Sequence, residues 1–130
     1  MTTIRVILAL ASINNWELQQ LDVSNAFFQG DFSEEVYMKI PQGLYGYESL
    51  QCCKLKKSLY GLKQASHKWY EKLSNLLLSY GYLQSHVDHS LFIKHEKGEF
   101  TSLLIYVDDI VLTGNSSTEI TKLKCKTHKI

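Results

Sequence analysis

The sequence lacks a long apolar run, an excess of charge of one sign and a pair of cysteines at metal-binding spacing. Its longest apolar stretch, Val6 to Ala11, is far shorter than the roughly 20 residues that cross a bilayer, so we expect no membrane span. The formal net charge is only +1, whereas a protein that neutralises many phosphates through its bulk charge is strongly basic. Any contact with nucleic acid should therefore be local.

Cysteine usage and missing motifs exclude further classes. Cys52, Cys53 and Cys125 are odd in number and no secretory leader precedes them, which favours a reduced, intracellular protein, in a cytoplasmic particle or in the nucleus. Adjacent Cys52 and Cys53 are typical of buried or half-buried thiols rather than of a redox centre. Glycine-rich phosphate-binding patterns and the nucleophile elbow of hydrolases are absent, which excludes phosphate-loop enzymes and leaves triad hydrolases without support.

What the sequence does contain is the composition of an ordinary globular domain. Its 130 residues are 45% hydrophobic, 12% aromatic and 21% charged, which lies outside the disordered range. A chain of about this length corresponds to one domain and buries roughly two thirds of its unfolded surface. We therefore predict one folded region over residues 1–130.

The first part of the chain shows helical and strand patterns in turn. A densely apolar segment from Ile4 to about Asn14 predicts a mostly buried helix. Glu17 to Val23 and Val36 to Ile40 are predicted strands, and Gln42 to Gln51 is a predicted loop. From Trp69 to Gly81 the apolar residues fall at helical spacing, and the glycine stands where a left-handed C-terminal cap is expected.

The last part of the chain predicts further strands and a short helix. Asp108 and Asp109 stand between two apolar runs, so both carboxylates are expected on a hairpin turn. Ser116 with Glu119 has the spacing of a capping box and predicts a helix of about three turns. The predicted strands are residues 91–93, 101–107 and 110–114. Helices mixed with antiparallel strand pairs predict an α+β fold with helices packed on one face of the sheet.

The acidic residues of these predicted strands and turns offer two interpretations. Carboxylate oxygens are the ligands that Mg²⁺ prefers, and Asp22, Asp108 and Asp109 could supply them if two strands of one sheet bring them together. An Asp-Asp pair at a hairpin tip is also common turn chemistry. The segment from His86 to His89 allows a metal site as well, but its position before a strand favours a turn.

Three long motifs carry a family resemblance. Residues 20–31, QLDVSNAFFQGD, resemble the copia-type polymerase motif QLDVxNAFLxGxL, and residues 106–109 resemble its YVDD box. Between them, SLYGLKQASHKWY at residues 58–70 is similar to the family's SLYGLKQAPRxWY, and VYMKIPQG at 36–43 is also familiar. The chain resembles, over nearly its whole length, the palm region of a copia-type retrotransposon reverse transcriptase.

The resemblance implies an RNA-directed DNA polymerase that adds deoxynucleotides to a primer. It assigns Asp22 and Asp108 to two catalytic Mg²⁺ ions, with Mn²⁺ as an alternative, and makes Asp109 the second carboxylate of the box. The backbone carbonyl of Val23 joins the metal shell in related palms. Phe27 occupies the position where a bulky ring blocks a ribose 2′-hydroxyl and selects DNA precursors, although packing in the core would also suit a phenylalanine there.

The middle motif implies contacts with the nucleotide and the template. Its expected nucleotide-binding residues are Tyr60, Gly61 and Gln64, and a glycine lets backbone approach nucleic acid closely. Lys63, Lys68 and Tyr106 are the expected nucleic-acid contacts. A local basic run interleaved with aromatic rings suits phosphate contact with base stacking, and a solvated helix face explains it equally well. That run comprises Lys54, Lys56, Lys57, Lys63 and Lys68, with Tyr60 and Trp69.

Departures from the family pattern keep a second hypothesis open. Family members carry fingers, thumb and RNase H regions that have no counterpart in these residues, and Ser66 and His67 replace a common proline and arginine. The expected partners are an RNA or DNA template with its primer, deoxynucleoside triphosphates and those remaining polyprotein regions. The alternative is an inactive remnant with at most weak nucleic-acid binding. Another palm-fold enzyme, such as an RNA polymerase or a nucleotide cyclase, is disfavoured by Phe27 and the YVDD box.

Overall fold

A computed structural model describes residues 2–23, 26, 34–44, 46, 51–59 and 61–127, except for the side chain of Lys63. Within these residues the helices are α1 (Thr2–Ile13), α2 (Lys63–Ser79) and α3 (Ser117–Thr127). The strands are β1 (Glu17–Asp22), β2 (Val36–Lys39), β3 (Cys52–Leu55), β4 (Leu83–Gln84), β5 (Leu91–Glu96), β6 (Glu99–Tyr106) and β7 (Asp109–Gly114). No described helix is both long and apolar enough to span a membrane.

The chain divides into two compact units. The first comprises Met1–Ser24 with Tyr70–Ile130, and the second comprises Asn25–Trp69. The first unit contains a five-stranded sheet in the order β1-β7-β6-β5-β4, in which every neighbouring pair is antiparallel. The second contains the antiparallel pair β2 and β3. Helices combined with antiparallel sheet confirm the predicted α+β class.

The large sheet buries residues in rows that cross its strands, and the central strand β6 is buried on both faces from Thr101 to Ile105. Ile105, Ile110 and Leu21 are register partners across β6, β7 and β1, and each is at most 8% exposed. Leu103 and Leu112 form the next buried pair. Helix α3 contacts β7 and buries Ile120 and Leu123, which lie three residues apart on one helical face.

Helix α1 has the expected position, but the prediction that it is mostly buried is wrong. Ile7 and Ala11, four residues apart, are buried, and the helix contacts β7. Val6, Leu10 and Ile13 are 51%, 39% and 77% exposed. Thr2, Arg5 and Ser12 do mark a polar side of the helix. The prediction failed because several residues of its apolar run lie outside the buried stripe of Ile7 and Ala11 and stay exposed.

Helix α2 begins at Lys63, ahead of the predicted start at Trp69. Its first turns contain mostly polar residues, so hydrophobic periodicity gives no signal there, and only Ala65 among the described side chains before Trp69 is buried. The predicted cap is confirmed: Gly81 has a φ of 82°, and its N–H donates to the carbonyl of Leu78 at 3.0 Å.

Two short strands, β3 and β4, were not predicted. The sequence of β3, Cys-Cys-Lys-Leu, shows no alternation of apolar and polar residues, and the two residues of β4 are too few to show one. The thiols on β3 are also more accessible than expected: Cys52 is exposed and Cys53 half-buried. The described residues between Gln42 and Gln51 lie outside helices and strands, which agrees with the predicted loop.

Candidate active site

The hairpin between β6 and β7 carries the acidic pair. Its two turn residues are Val107 and Asp108, whereas Asp109 is the first residue of β7. The expectation that both carboxylates lie on the turn is therefore wrong for Asp109. This residue pairs with Tyr106 on one side and with Asp22 on the other, so it belongs to the sheet.

The register places a polar row across three strands. Tyr106, Asp109 and Asp22 are directly opposite one another on β6, β7 and β1. Directly opposite residues project from the same face, with Cβ atoms about 4.5–5.5 Å apart in such pairs. The neighbouring row of Ile105, Ile110 and Leu21 is the buried one, so the polar row lies on the opposite face. Tyr106 is 54% exposed and Asp22 is exposed.

A backbone hydrogen bond continues the pairing beyond the end of β1. The N–H of Val23 donates to the carbonyl of Asp108 at 3.2 Å. This bond places Val23 beside Asp108, a turn residue that is not part of the sheet register. The fold therefore brings together the backbone positions of all four predicted metal-binding residues, Asp22, Val23, Asp108 and Asp109.

The carboxylate of Asp109 has a side-chain partner on β1. The Nε2 of Gln20 donates to Oδ1 of Asp109 at 2.9 Å. Gln20 is exposed and Asp109 is half-buried. The sequence motifs gave Gln20 no role of its own. Its spacing of two residues from Asp22 nevertheless places both residues on the same face of a strand.

Comparison with known proteins shows the family of the chain. Residues 1–129 match the family described as reverse transcriptase (RNA-dependent DNA polymerase). The chain belongs to the reverse transcriptase family. The copia-type resemblance of the motifs is thereby confirmed, since the similar curated proteins are transposon polyproteins.

Three of these relatives are plant proteins. The Retrovirus-related Pol polyprotein from transposon RE1 of Arabidopsis thaliana is 45% identical over 118 residues, which is 90% of this chain and 8% of that protein. The corresponding protein from transposon RE2 is 43% identical over 89% of the chain and 8% of its own length. The protein from transposon TNT 1-94 of Nicotiana tabacum is 44% identical over 95% of the chain and 10% of its own length.

The chain spans about a tenth or less of the length of the curated relatives it matches. No solved structure matches it.

The acidic residues suit a divalent cation in chemistry and in backbone placement. Hard cations prefer carboxylate and backbone carbonyl oxygens, and Asp22, Val23, Asp108 and Asp109 offer both kinds. Within the described parts of the chain, no three His, Cys, Asp or Glu side chains are gathered as a group that could hold a metal ion. Asp22 and Asp109 are register partners on one sheet face, and Asp108 lies on the adjoining turn.

The turn itself has an unusual backbone. Val107 has a φ of 57°, in the left-handed region that a β-branched residue rarely adopts. Outliers of this kind occur where surrounding structure holds them, often at functional sites. Here the surrounding structure is the hydrogen-bonded ladder of β6 and β7 on both sides of the turn.

The described middle-motif residues Gly61, Lys63, Gln64 and Lys68 belong to the second compact unit. Gly61 has a φ of 89°, and a Cβ at this position would meet nothing within 4 Å, so local conformation already accounts for the glycine. Gln64 is exposed and Lys68 half-buried on α2. Lys63 opens this helix. Phe27 and Tyr60 lie outside the described residues.

The basic run is only partly available for phosphate contact. Lys54 forms an ion pair with the carboxylate of Glu35, and this ammonium lowers the pKa of that carboxyl. Trp69 is 0% exposed, so its indole cannot stack on a base, and the suggested stacking role is wrong for this residue. Lys56 and Lys57 are exposed.

The segment from His86 to His89 forms turns and bends, as the sequence favoured. The carboxylate of Asp88 accepts hydrogen bonds from the backbone N–H of Ser90 at 3.0 Å and from its hydroxyl at 2.5 Å. The hydroxyl of Thr3 on α1 donates to the other carboxylate oxygen. These hydrogen bonds give Asp88 a structural role, with partners both nearby and distant in the sequence.

Proposed function

We propose that this chain carries the polymerase palm of a copia-type reverse transcriptase and performs RNA-directed DNA synthesis with Asp22, Asp108 and Asp109. Residues 1–130 would form the palm region, and the fingers, thumb and RNase H regions of a polyprotein would be its partners. The observation that carries the proposal is the register of Asp22 opposite Asp109, together with the bond from the Val23 N–H to the Asp108 carbonyl.

The residues of the site divide by role. Asp22, Asp108, Asp109 and the backbone carbonyl of Val23 would hold Mg²⁺ or Mn²⁺. Two such ions about 3.5–4 Å apart supply a clamp for the attacking and leaving oxygens of phosphoryl transfer. The protein's own contribution is to fix Asp22 and Asp109 on two paired strands, with Asp108 on the turn beside them, because a site built on strands is held more closely than one on a loop.

Substrate contacts follow the family resemblance. Tyr60, Gly61, Gln64 and Phe27 would contact the deoxynucleoside triphosphate, with Phe27 rejecting ribonucleotides by steric clash. Lys63, Lys68 and Tyr106 would contact the RNA or DNA template and its primer. The exposure of Tyr106, 54%, supports a ring that is accessible to nucleic acid.

The test is Mg²⁺-dependent extension of a DNA primer on an RNA template by the purified chain. Asp108→Asn keeps the size of the turn residue and removes its charge, so we expect extension to fall by at least about a hundredfold. Glu96→Gln is the matched control. It removes an exposed charge at the other end of the β5-β6-β7 sheet and should leave extension unchanged.

Each outcome separates the two functional hypotheses. Extension by the parent and by Glu96→Gln, lost in Asp108→Asn, supports polymerase chemistry by this chain. Absence of extension from a chain shown to be folded by circular dichroism contradicts autonomous activity. That result would favour the alternative of an inactive remnant with at most weak binding to nucleic acid.

A further inference from the structure

We infer that Gln20 is a positioning residue of the active site, and that its amide orients the Asp109 carboxylate for a divalent cation. The inference rests on the proposed function, since it concerns the same acidic site. The observation behind it is the hydrogen bond from Gln20 Nε2 to Asp109 Oδ1 at 2.9 Å.

The sheet register makes this contact a property of the fold. Gln20 lies opposite Val111, and Asp109 precedes Val111 by two residues on the same strand. The two side chains are therefore diagonal neighbours on one sheet face, at a separation that a long side chain can bridge. Glutamine has the length to reach across.

The chemistry of the amide suits this role. One N–H donor occupies one oxygen of the Asp109 carboxylate, and a carboxylate offers about four acceptor positions over its two oxygens. The second oxygen stays oriented and keeps acceptor capacity for a cation. A lysine in place of Gln20 would also donate, but its positive charge would oppose the binding of a metal ion beside it.

The energetic argument is one of preorganisation. In metal sites, ligating carboxylates are themselves hydrogen-bonded, and loss of such an outer partner typically costs 10–100-fold in metal affinity or activity. Asp109 stands directly opposite Asp22, so like charges face each other across the strands. An orienting donor from β1 limits how far the Asp109 carboxylate swings away when no cation lies between them.

The test measures Mn²⁺ binding by the 130-residue chain, with the concentration of free Mn²⁺ determined by electron paramagnetic resonance. Gln20→Met keeps the length of the side chain and removes the donor, and we expect a loss of Mn²⁺ affinity of about tenfold. Gln19→Met is the matched control, because it makes the same change at the next position of β1, where the amide donates to Glu17 instead. Its affinity should stay within about twofold of the parent's.

A spectroscopic measurement distinguishes positioning from a general structural effect. The side-chain amide signals of Gln20 in a ¹⁵N-labelled chain should shift in Asp109→Asn and broaden on addition of Mn²⁺. The melting temperature of Gln20→Met should equal that of the parent, because Gln20 is exposed.

The outcomes separate this inference from the proposed function. If Asp108→Asn loses Mn²⁺ while Gln20→Met binds it as well as the parent or better, the role of Gln20 is overturned and the metal site stands. If the parent binds no Mn²⁺, the metal site and the role of Gln20 both fall, and primer extension still tests polymerase activity on its own.

Discussion

Gly114, the last residue of β7, shows how closely single residues constrain this fold. A Cβ at this position would overlap the backbone carbonyl oxygen of Phe100 and lie 2.9 Å from the Cα of Thr101. Both atoms belong to the backbone of β6, so neither can move as a flexible side chain would. The glycine is required by close strand approach rather than by its own dihedral angles.

We expect Gly114→Ala to lower the free energy of unfolding by about 3 kcal/mol, because overpacking against backbone forces the strands apart. Gly98→Ala is the comparison: this turn glycine has a φ of 81° but open space around a Cβ, so only about 1 kcal/mol of backbone strain is expected. Urea unfolding followed by circular dichroism measures both. Equal losses would show that the close approach at Gly114 costs nothing.

For single residues, the sequence motifs indicate the three aspartates but not the side chain that contacts Asp109. The QLDV and YVDD motifs contain Asp22, Asp108 and Asp109, and the fold brings the backbone positions of these residues together. The hydrogen bond from Gln20 to Asp109 was missed because it forms only when β1 pairs with β7 in this register. Register depends on pairing between segments that are distant in the sequence. No local pattern in a single sequence contains that information.

The hairpin of β6 and β7 is the element on which the site depends. Its ladder runs from Thr101 opposite Gly114 to Tyr106 opposite Asp109, and the turn closes it with Val107 in a left-handed conformation. A valine tolerates this backbone poorly, whereas asparagine adopts it readily. The turn therefore stores strain next to Asp108.

We expect Val107→Asn to raise the free energy of unfolding by about 1 kcal/mol through relief of this strain. Val107→Ala removes the same apolar side chain but keeps a residue that is disfavoured at positive φ, so it should not stabilise. Urea midpoints of the three proteins provide the measurement. The strain argument fails if the alanine and asparagine variants are equally stable.

Elements with strong patterns were predicted, and weakly patterned ones were not. The strands that flank the acidic pair and the capped helix α3 carried clear signals, and Ser116 indeed accepts the N–H of Glu119 at 3.3 Å. Glu119 itself pairs with Lys94 at 2.9 Å instead of completing the capping box. The local pattern therefore predicts where the helix begins, whereas the partner of the Glu119 side chain depends on a tertiary contact with β5.

At the scale of the whole molecule, Asp88 joins segments far apart in the sequence. Hydrogen bonds from the hydroxyl of Ser90, the hydroxyl of Thr3 and the N–H of Ser90 lower the pKa of the Asp88 carboxyl. Thr3 lies in the first turn of α1, so this carboxylate attaches the helix to the segment that precedes β5.

The lowered pKa predicts a pH dependence with a definite sign. The stabilisation is present above the pKa of an unfolded aspartate, about 3.9, and is lost as the pH falls through the lower folded value. Asp88→Asn should therefore cost about 1 kcal/mol near pH 7, and the difference from the parent should shrink toward zero in strong acid. Urea unfolding of both proteins at several pH values tests this. A difference that stays constant with pH would assign the effect to packing.

Family and fold class were accessible from the sequence, because three motifs and the element types agree. The division into two compact units could not be predicted from the sequence. The chain has the length of one domain and no segment with the composition of a linker, so nothing marks a boundary at Asn25 or Trp69. The exposure of Val6, Leu10 and Ile13 on α1 was equally hidden, because an apolar residue is normally expected to be buried.

The edge position of β1 affects how the site should be studied. Among the described strands β1 has a neighbour on one side, β7, and it carries Leu18 at 49% exposure. Open edges with apolar residues recruit other chains, and charges along them oppose this. Asp22 is one of those charges. Neutralising it would increase aggregation along with any loss of catalysis, whereas Asp108, on the turn, can be neutralised without altering the charge of that edge.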